Sequence, residues 1–284
     1  MALAAAVTLG GLMQLVFSVW GINRLGFSLR PKLNWKHPGV TKILHLMAPA
    51  ALAASIVQVN LMIDLAIASF LETGSISWLY YSNRLVEFTL GVFGVALATV
   101  LLPNLSTAAA EGDVRKFSST IDWALRWATM LGLPAVAGLI ILSDEMILTL
   151  FGYGAITERD VLMSSHSLSA YSMGLFAFIM IKIFGPGYYA RQDMRTPVKF
   201  GLIAIGINLV FNLLLAGPLG HTGLALATAV AANANALMLW RGLRKENIYA
   251  PTEGWLYFLI RIFIAVLAMV AFLIYVASPL SAWI

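Results

Sequence analysis

Four charged side chains in this 284-residue chain stand inside otherwise apolar sequence: Asp64, Arg84, Glu87 and Lys182. Glu87 follows Arg84 by three residues, so in a helix the two share a face and can pair. An arginine in such a setting suits an anionic substrate group, because its planar fork makes bidentate hydrogen bonds to phosphate and stays charged. The other reading is that the charges neutralise one another and hold two helices in register. Either way, the expected arrangement is a network of Asp64, Arg84 and Glu87, since Asp64 and Arg84 each lie about ten residues from the turn near Gly74 and reach similar depth at 1.5 Å per residue. Lys182, four residues before Pro186, reads as a lysine that snorkels to the membrane interface.

A second set is polar. Asn208 and Asn212 are four residues apart and share a helical face, and Thr228 follows in the next apolar segment at comparable depth. With Asp64 they supply one carboxylate, two amide oxygens and a hydroxyl, a donor set for a hard cation. Hydrogen bonding between helices is the competing use of the same residues. Other chemistries fall away. With no cysteine there is no thiolate metal site or cysteine nucleophile, and four scattered histidines do not make a catalytic zinc site. An enzyme acting on prenyl phosphates would need a basic clamp beside its carboxylates, and Asp144 with Glu145 has none nearby in sequence. No catalytic set of these kinds is therefore expected.

The elements that position these residues must be membrane helices. The chain is 60% hydrophobic and 11% charged, whereas a soluble domain is about a quarter charged. Apolar runs of about 20 residues, long enough to cross a bilayer as helix, number eight: Ala2 to Trp20, Ile43 to Leu71, Trp78 to Leu102, Trp123 to Leu142, Val161 to Phe184, Val198 to Ala216, Thr222 to Trp240 and Leu256 to Ala277. The fold class is thus all-α, a polytopic membrane protein of eight transmembrane helices. Prolines mark the expected breaks: Pro103 ends the third span, Gly185, Pro186 and Gly187 interrupt the fifth, and Pro218 sits in the turn after the sixth.

Sorting the loops alternately puts 15 of the 18 Lys and Arg residues on one side, which is then cytoplasmic, while Arg159 alone lies opposite, amid Asp144, Glu145, Glu158 and Asp160. The net charge of +5 is therefore topology, with attraction to anionic membrane lipids as a secondary effect, and nucleic acid is not an expected partner. The first apolar run begins at the chain start without a charged leader, and the chain stops shortly after the eighth span, so a longer parent protein is expected.

Several stretches carry a resemblance: WLYYSNRLVEF from Trp78, GVFGVALATVLLPNLS from Gly91, LFGYG from Leu150, GPGYYARQDMRTPVK from Gly185 and GPLGHTGLALAT from Gly217. Their order and spacing over nearly the whole chain resemble the MurJ/MviN family of lipid II flippases. The resemblance implies two lobes around a central cavity and an extra C-terminal helix pair. By that likeness residues 1–22 are the last helix of the N-terminal lobe, 23–42 a basic cytoplasmic linker, 43–245 a complete six-helix C-terminal lobe and 246–284 the first helix of the extra pair. The first helices and the last one are then absent.

The implied activity is alternating-access transport of the lipid-linked peptidoglycan precursor, lipid II, across the bacterial inner membrane. Arg84 matches the cavity arginine that contacts the lipid-linked pyrophosphate, with Glu87 one turn on and Asn83 where many relatives carry Asp. Some relatives bind sodium between the corresponding helices, and the matching positions are Asp64, Asn208, Asn212, the backbone of Leu224, and Thr228; Asn212 replaces a carboxylate. A related drug or polysaccharide exporter, or an inactive structural fragment, are the alternatives.

The loop assignment gives a first testable outcome. Cysteines placed singly at Lys36, Arg115, Arg195 and Lys245 are expected to resist an impermeant thiol reagent in intact cells, and those at Glu72 and Glu158 to react, with no native cysteine to interfere. Labelling of Lys36→Cys from outside overturns the orientation.

Overall fold

The computed structural model describes residues 2–26, 38–41, 58 and 60–276. Its helices are α1 (Ala2–Arg24), α2 (60–68), α3 (Ser75–Leu90), a short π-helix (Gly91–Val95), α4 (Ala96–Glu111), α5 (Val114–Ile141), α6 (Ser143–Phe151), α7 (Glu158–Tyr189), α8 (Arg195–Lys245) and α9 (Trp255–Val276). No strand occurs among the described residues. Among the described residues, six helices are long and apolar enough to cross a membrane, with α3 through α4 counted as one. Most of the expected second span, and of the linker that holds Arg30, Lys32, Lys36 and Lys42, lies outside the described residues. Two compact units result, Met1–Ala48 and Pro49–Ile284. The first contains α1, and the second contains α2 through α9.

At 51 residues, α8 would measure about 75 Å if straight, more than twice the ~30 Å hydrocarbon layer. It is folded in two. Gly220 has φ 55° and ψ −135°, a conformation that glycine adopts without a Cβ penalty. The two arms run back along each other, since Asn208 Nδ2 donates to Thr228 Oγ1 at 3.2 Å across 20 residues of sequence. The expected sixth and seventh spans are these two arms.

The most buried span is α7, which packs against α3, α5 and both neighbours in sequence. It starts with a capping box, in which Thr157 and Asp160 satisfy each other's first-turn backbone groups. Asp160 also accepts from Trp78 Nε1 at 2.7 Å, and Ser82 Oγ donates to the Ser164 carbonyl at 2.6 Å, so α3 is fixed to α7 at two heights. Where α7 meets the second arm of α8, Gly174 lets the backbones touch: a Cβ there would lie 2.7 Å from Ala229 Cα.

Two expected breaks are corrected. The helix does not end at Pro103 but continues to Glu111, and α7 runs through Gly185, Pro186 and Gly187 to Tyr189. A helix proline removes only its own N–H, leaving the carbonyl four residues earlier without that donor, and the turns on either side continue. Gly185, Pro186 and Gly187 are buried, and a Cβ on Gly187 would lie 3.5 Å from Ile121 of α5 and Leu243 of α8, so the glycine there serves close packing.

One positioning device had no counterpart among the sequence expectations. Ser118, Asp122 and Arg126 stand at intervals of four on α5 and bind the segment between α8 and α9. Ser118 Oγ accepts from the Ala250 amide at 3.0 Å. Buried Asp122 accepts from Tyr249 Oη (3.0 Å), Thr252 N (3.3 Å), Thr252 Oγ1 (2.6 Å), Trp255 Nε1 (2.6 Å) and Arg126 Nε (3.0 Å). Arg126 in turn donates to Thr252 Oγ1 at 2.8 Å and to the Glu253 carbonyl at 3.2 Å. Burial pushes the Tyr249 phenol up, and the Asp122 charge adds to it, so Tyr249 remains a proton donor. This strap fixes where α9 starts against α5.

Asp122→Ala strips the acceptor from all these donors at once. It is expected to lower stability in detergent by about 3 kcal/mol, the scale for breaking a buried charged pair, while Ser119→Ala on exposed surface changes it by less than about 0.5 kcal/mol. Equal thermal midpoints for the two variants would show that the strap does not hold α9.

Candidate substrate face and cation site

α3 has two faces. Ser75, Trp78, Leu79, Ser82, Leu85 and Val86 are buried, while Ile76, Tyr80, Arg84, Glu87 and Phe88 are exposed along one stripe. On that stripe Arg84 Nη1 donates to Glu87 Oε2 at 2.9 Å, and Asn83 Nδ2 donates to Glu87 Oε1 at 2.9 Å. Both oxygens of Glu87 are thus engaged, and the carboxylate is held in place beneath the guanidinium. The side chains of Arg84 and Glu87 remain 54% and 49% exposed. Asn83, Arg84 and Glu87, all expected at the site, therefore form one local cluster.

Asp64 is not part of it. The expected Asp64–Arg84–Glu87 network is corrected: Arg84 turns to the exposed stripe, whereas Asp64 is buried and turns to α8. Equal depth fixed the height of the two residues but not the direction in which each points. Lys182 is exposed, and its Cγ lies about where a Cβ on Gly94 would make ordinary contact, so its aliphatic stem runs beside the π-helix.

The polar set does converge. Asn212 Nδ2 donates to Asp64 Oδ1 at 2.6 Å and to Asn208 Oδ1 at 2.9 Å. Thr228 Oγ1 lies 3.4 Å from Asp64 Oδ2 and donates to the Leu224 carbonyl at 3.0 Å. Asn60 Nδ2 adds a long contact to Asp64 Oδ2 at 3.4 Å. Asp64, Asn208 and Asn212 are all buried. Thus α2 and both arms of α8 meet at one carboxylate, and Asn60 is the member that sequence reasoning missed; its spacing of four from Asp64 was the available signal.

Two oxygens are left over. Asn212 Oδ1 is buried without a hydrogen-bond partner, as is Asn60 Oδ1. An unpaired buried carbonyl oxygen costs about 1–3 kcal/mol, and here two stand beside a carboxylate. Among the described residues no three acidic, histidine or cysteine side chains group together, so any cation would be held by one carboxylate and neutral oxygens. Such a set suits a hard cation.

A family model described as lipid II flippase MurJ matches residues 1–284. The chain belongs to the MurJ lipid II flippase family. A probable lipid II flippase MurJ of Vibrio cholerae serotype O1 is 45% identical over 282 residues, covering 99% of this chain and 54% of that protein. The lipid II flippase MurJ of Burkholderia cenocepacia is 39% identical over 272 residues, covering 94% and 53%. A solved structure of a lipid II flippase MurJ in an inward closed conformation matches with a TM-score of 0.73 at 27% identity, over 88% of this chain and 52% of that one. An outward-facing MATE-family multidrug transporter matches with a TM-score of 0.64 at 14% identity and shares the fold alone. The chain spans about half the length of the curated MurJ relatives it matches. MurJ proteins are transporters rather than catalysts, and membership with these apolar helices makes the chain a multi-pass inner-membrane protein.

Asn212→Leu removes the shortest donor to Asp64 while leaving the carboxylate buried. The variant is expected to lose about 1–3 kcal/mol of stability, and Asp64→Leu combined with it to recover part of that loss, because the uncompensated charge is gone. Strictly additive losses in a thermal-denaturation cycle would show that the two side chains do not interact.

Proposed function

We propose that this chain supplies the C-terminal half of a lipid II flippase, which carries the lipid-linked peptidoglycan precursor across the inner membrane by alternating access. In this reading 43–245 form the C-terminal lobe, 1–22 end the N-terminal lobe, 23–42 link the two, and 246–284 begin the extra helix pair. The observation that carries it is Arg84 with Glu87, half exposed on one stripe of a helix whose other face is buried in an apolar bundle. Charges on a lipid-facing surface are costly, and residues of this kind face a bundle interior or a water-filled cavity. The names of the MurJ relatives favour lipid II over a drug as the cargo.

The chemistry follows from the cluster. Glu87 binds Nη1 of the guanidinium and Asn83 holds Glu87, and neither bond uses the Arg84 Nε or Nη2 donors. Those donors suit a pyrophosphate oxygen, and the fixed fork loses less freedom on binding than a lysine would. Glu87 keeps the local net charge near zero when the cavity is empty. The anionic group then competes with a carboxylate for the same arginine, which keeps binding reversible enough for release.

Sodium fits the second cluster as a coupling ion held by Asp64, Asn208, Asn212, the Leu224 carbonyl and Thr228; the bare Asn212 oxygen supports this. When bound, the ion would neutralise Asp64 and tie α2 to both arms of α8.

The test is complementation of a flippase-depleted bacterium with the chain grafted in place of the matching half of its 45%-identical relative. Growth is expected with the native chain, loss with Arg84→Ala, and severe reduction with Arg84→Lys, all at equal membrane abundance. Asp64→Asn is expected to remove sodium dependence of growth. Full growth of Arg84→Ala contradicts the substrate role, and sodium dependence retained by Asp64→Asn contradicts the ion site.

A further inference from the structure

The guanidinium of Arg84 is restrained on a second side. Tyr80, one helical turn before it, lies with its ring centroid 4.7 Å from Arg84 Cζ, within the range of a cation–π contact. Tyr80 is 54% exposed, so its ring is not there to fill the core. Yet its orientation is set by a short series of aromatic contacts that leads into the protein. Tyr80 meets Tyr81 edge to face at 5.9 Å and 74°, and Tyr81 packs on Phe151 of α6 at 4.9 Å. Tyr81 and Phe151 both pack against the buried core. An exposed ring is thereby held still by a partly buried one.

We infer that Tyr80 is a positioning residue for Arg84: its ring restrains the guanidinium on one side while Glu87 engages Nη1, so that an oxyanion meets a guanidinium already held in place. The inference rests on the reading of Arg84 as the phosphate contact. Two restraints are needed for this. An ion pair alone lets a planar fork rotate about the Nη1–Oε2 line, and a ring contact alone lets it slide. Together they limit both motions, and an arginine already confined in this way loses less rotamer freedom when phosphate binds. The ligand class is a pyrophosphate or another oxyanion wide enough to accept two parallel N–H donors.

A double-mutant cycle tests this in the grafted carrier, purified in detergent, with geranylgeranyl pyrophosphate as the probe and geranylgeraniol as the phosphate-free control. Tyr80→Phe keeps the ring face and is expected to bind the probe within about twofold of the native protein. Tyr80→Leu, which keeps an apolar side chain but no ring, is expected to bind about five- to tenfold more weakly, the scale of a partly desolvated cation–π contact. Geranylgeraniol binding should not change in either. In an Arg84→Lys background, which has no planar fork to orient, Tyr80→Leu should add less than about twofold, because coupled residues are non-additive. Should Tyr80→Leu fold poorly, Tyr80→Met serves in its place.

The outcomes separate cleanly. If Arg84→Ala binds the probe as tightly as the native protein, the phosphate role of Arg84 is wrong. If Arg84→Ala is weak but Tyr80→Leu binds normally, or its loss multiplies fully with Arg84→Lys, the positioning role of Tyr80 is wrong while that of Arg84 stands. Equal weakening of geranylgeraniol binding by Tyr80→Leu also overturns the inference, since the ring would then be acting on the lipid chain.

Discussion

A carboxylate buried among apolar helices must be solvated by the protein, because the bilayer offers no donors. Asp64 places that demand on three helical segments at once: Asn60 on its own helix and Asn212 on one arm of α8 donate to it, and the Thr228 hydroxyl on the other arm stands beside it at 3.4 Å. Only a chain that reverses at Gly220 can bring Asn212 and Thr228 to the same height. The reversal, the close passage of α7 past Ala229 at Gly174, and the seating of α2 therefore depend on one another. An isolated charge at such depth costs about 2.5–3.5 kcal/mol on insertion scales, enough for the arrangement to be selective for this one packing of the arms.

The same demand recurs at Asp122, with a different answer. There the donors come from the strap that precedes α9 and from its first residue, and the carboxylate holds α9 against α5. Arg84 and Glu87 meet it in a third way, by remaining exposed and pairing with each other. The two buried acids thus work as structural nodes, and the exposed pair is the one free to exchange its partner for a ligand. That division supports the proposed substrate contact at the α3 stripe.

Much of this was legible in the sequence because helices in a bilayer obey simple arithmetic. Rise per residue gives depth, so Asp64, Asn208, Asn212 and Thr228 could be placed at one level and do meet. Spacing gives the shared face, so Arg84 and Glu87 were paired correctly. Depth does not give direction about the axis, which is why Asp64 was joined to Arg84 in error. Asp122 escaped because it stands one residue before the expected fourth span, and its partners beyond α5 lie 127 to 133 residues away. The interval of four linking Ser118, Asp122 and Arg126 was visible, but nothing in sequence says what a polar face at a helix end will bind. The prolines misled for a related reason: whether Pro103 or Pro186 ends a helix is not fixed by the missing N–H alone.

The central claim is that the exposed stripe of α3 faces the substrate. It is tested most directly by placing a photoreactive amino acid at Phe88, which is 71% exposed on that stripe, and at Leu85, which is 6% exposed on the opposite face, in the grafted carrier. Irradiation in cells, followed by mass analysis of the adducts, should give a polyprenyl pyrophosphate-linked product at position 88 that disappears with Arg84→Ala, and none at 85. Adducts at 88 with bulk phospholipid only, unchanged by Arg84→Ala, would contradict the account.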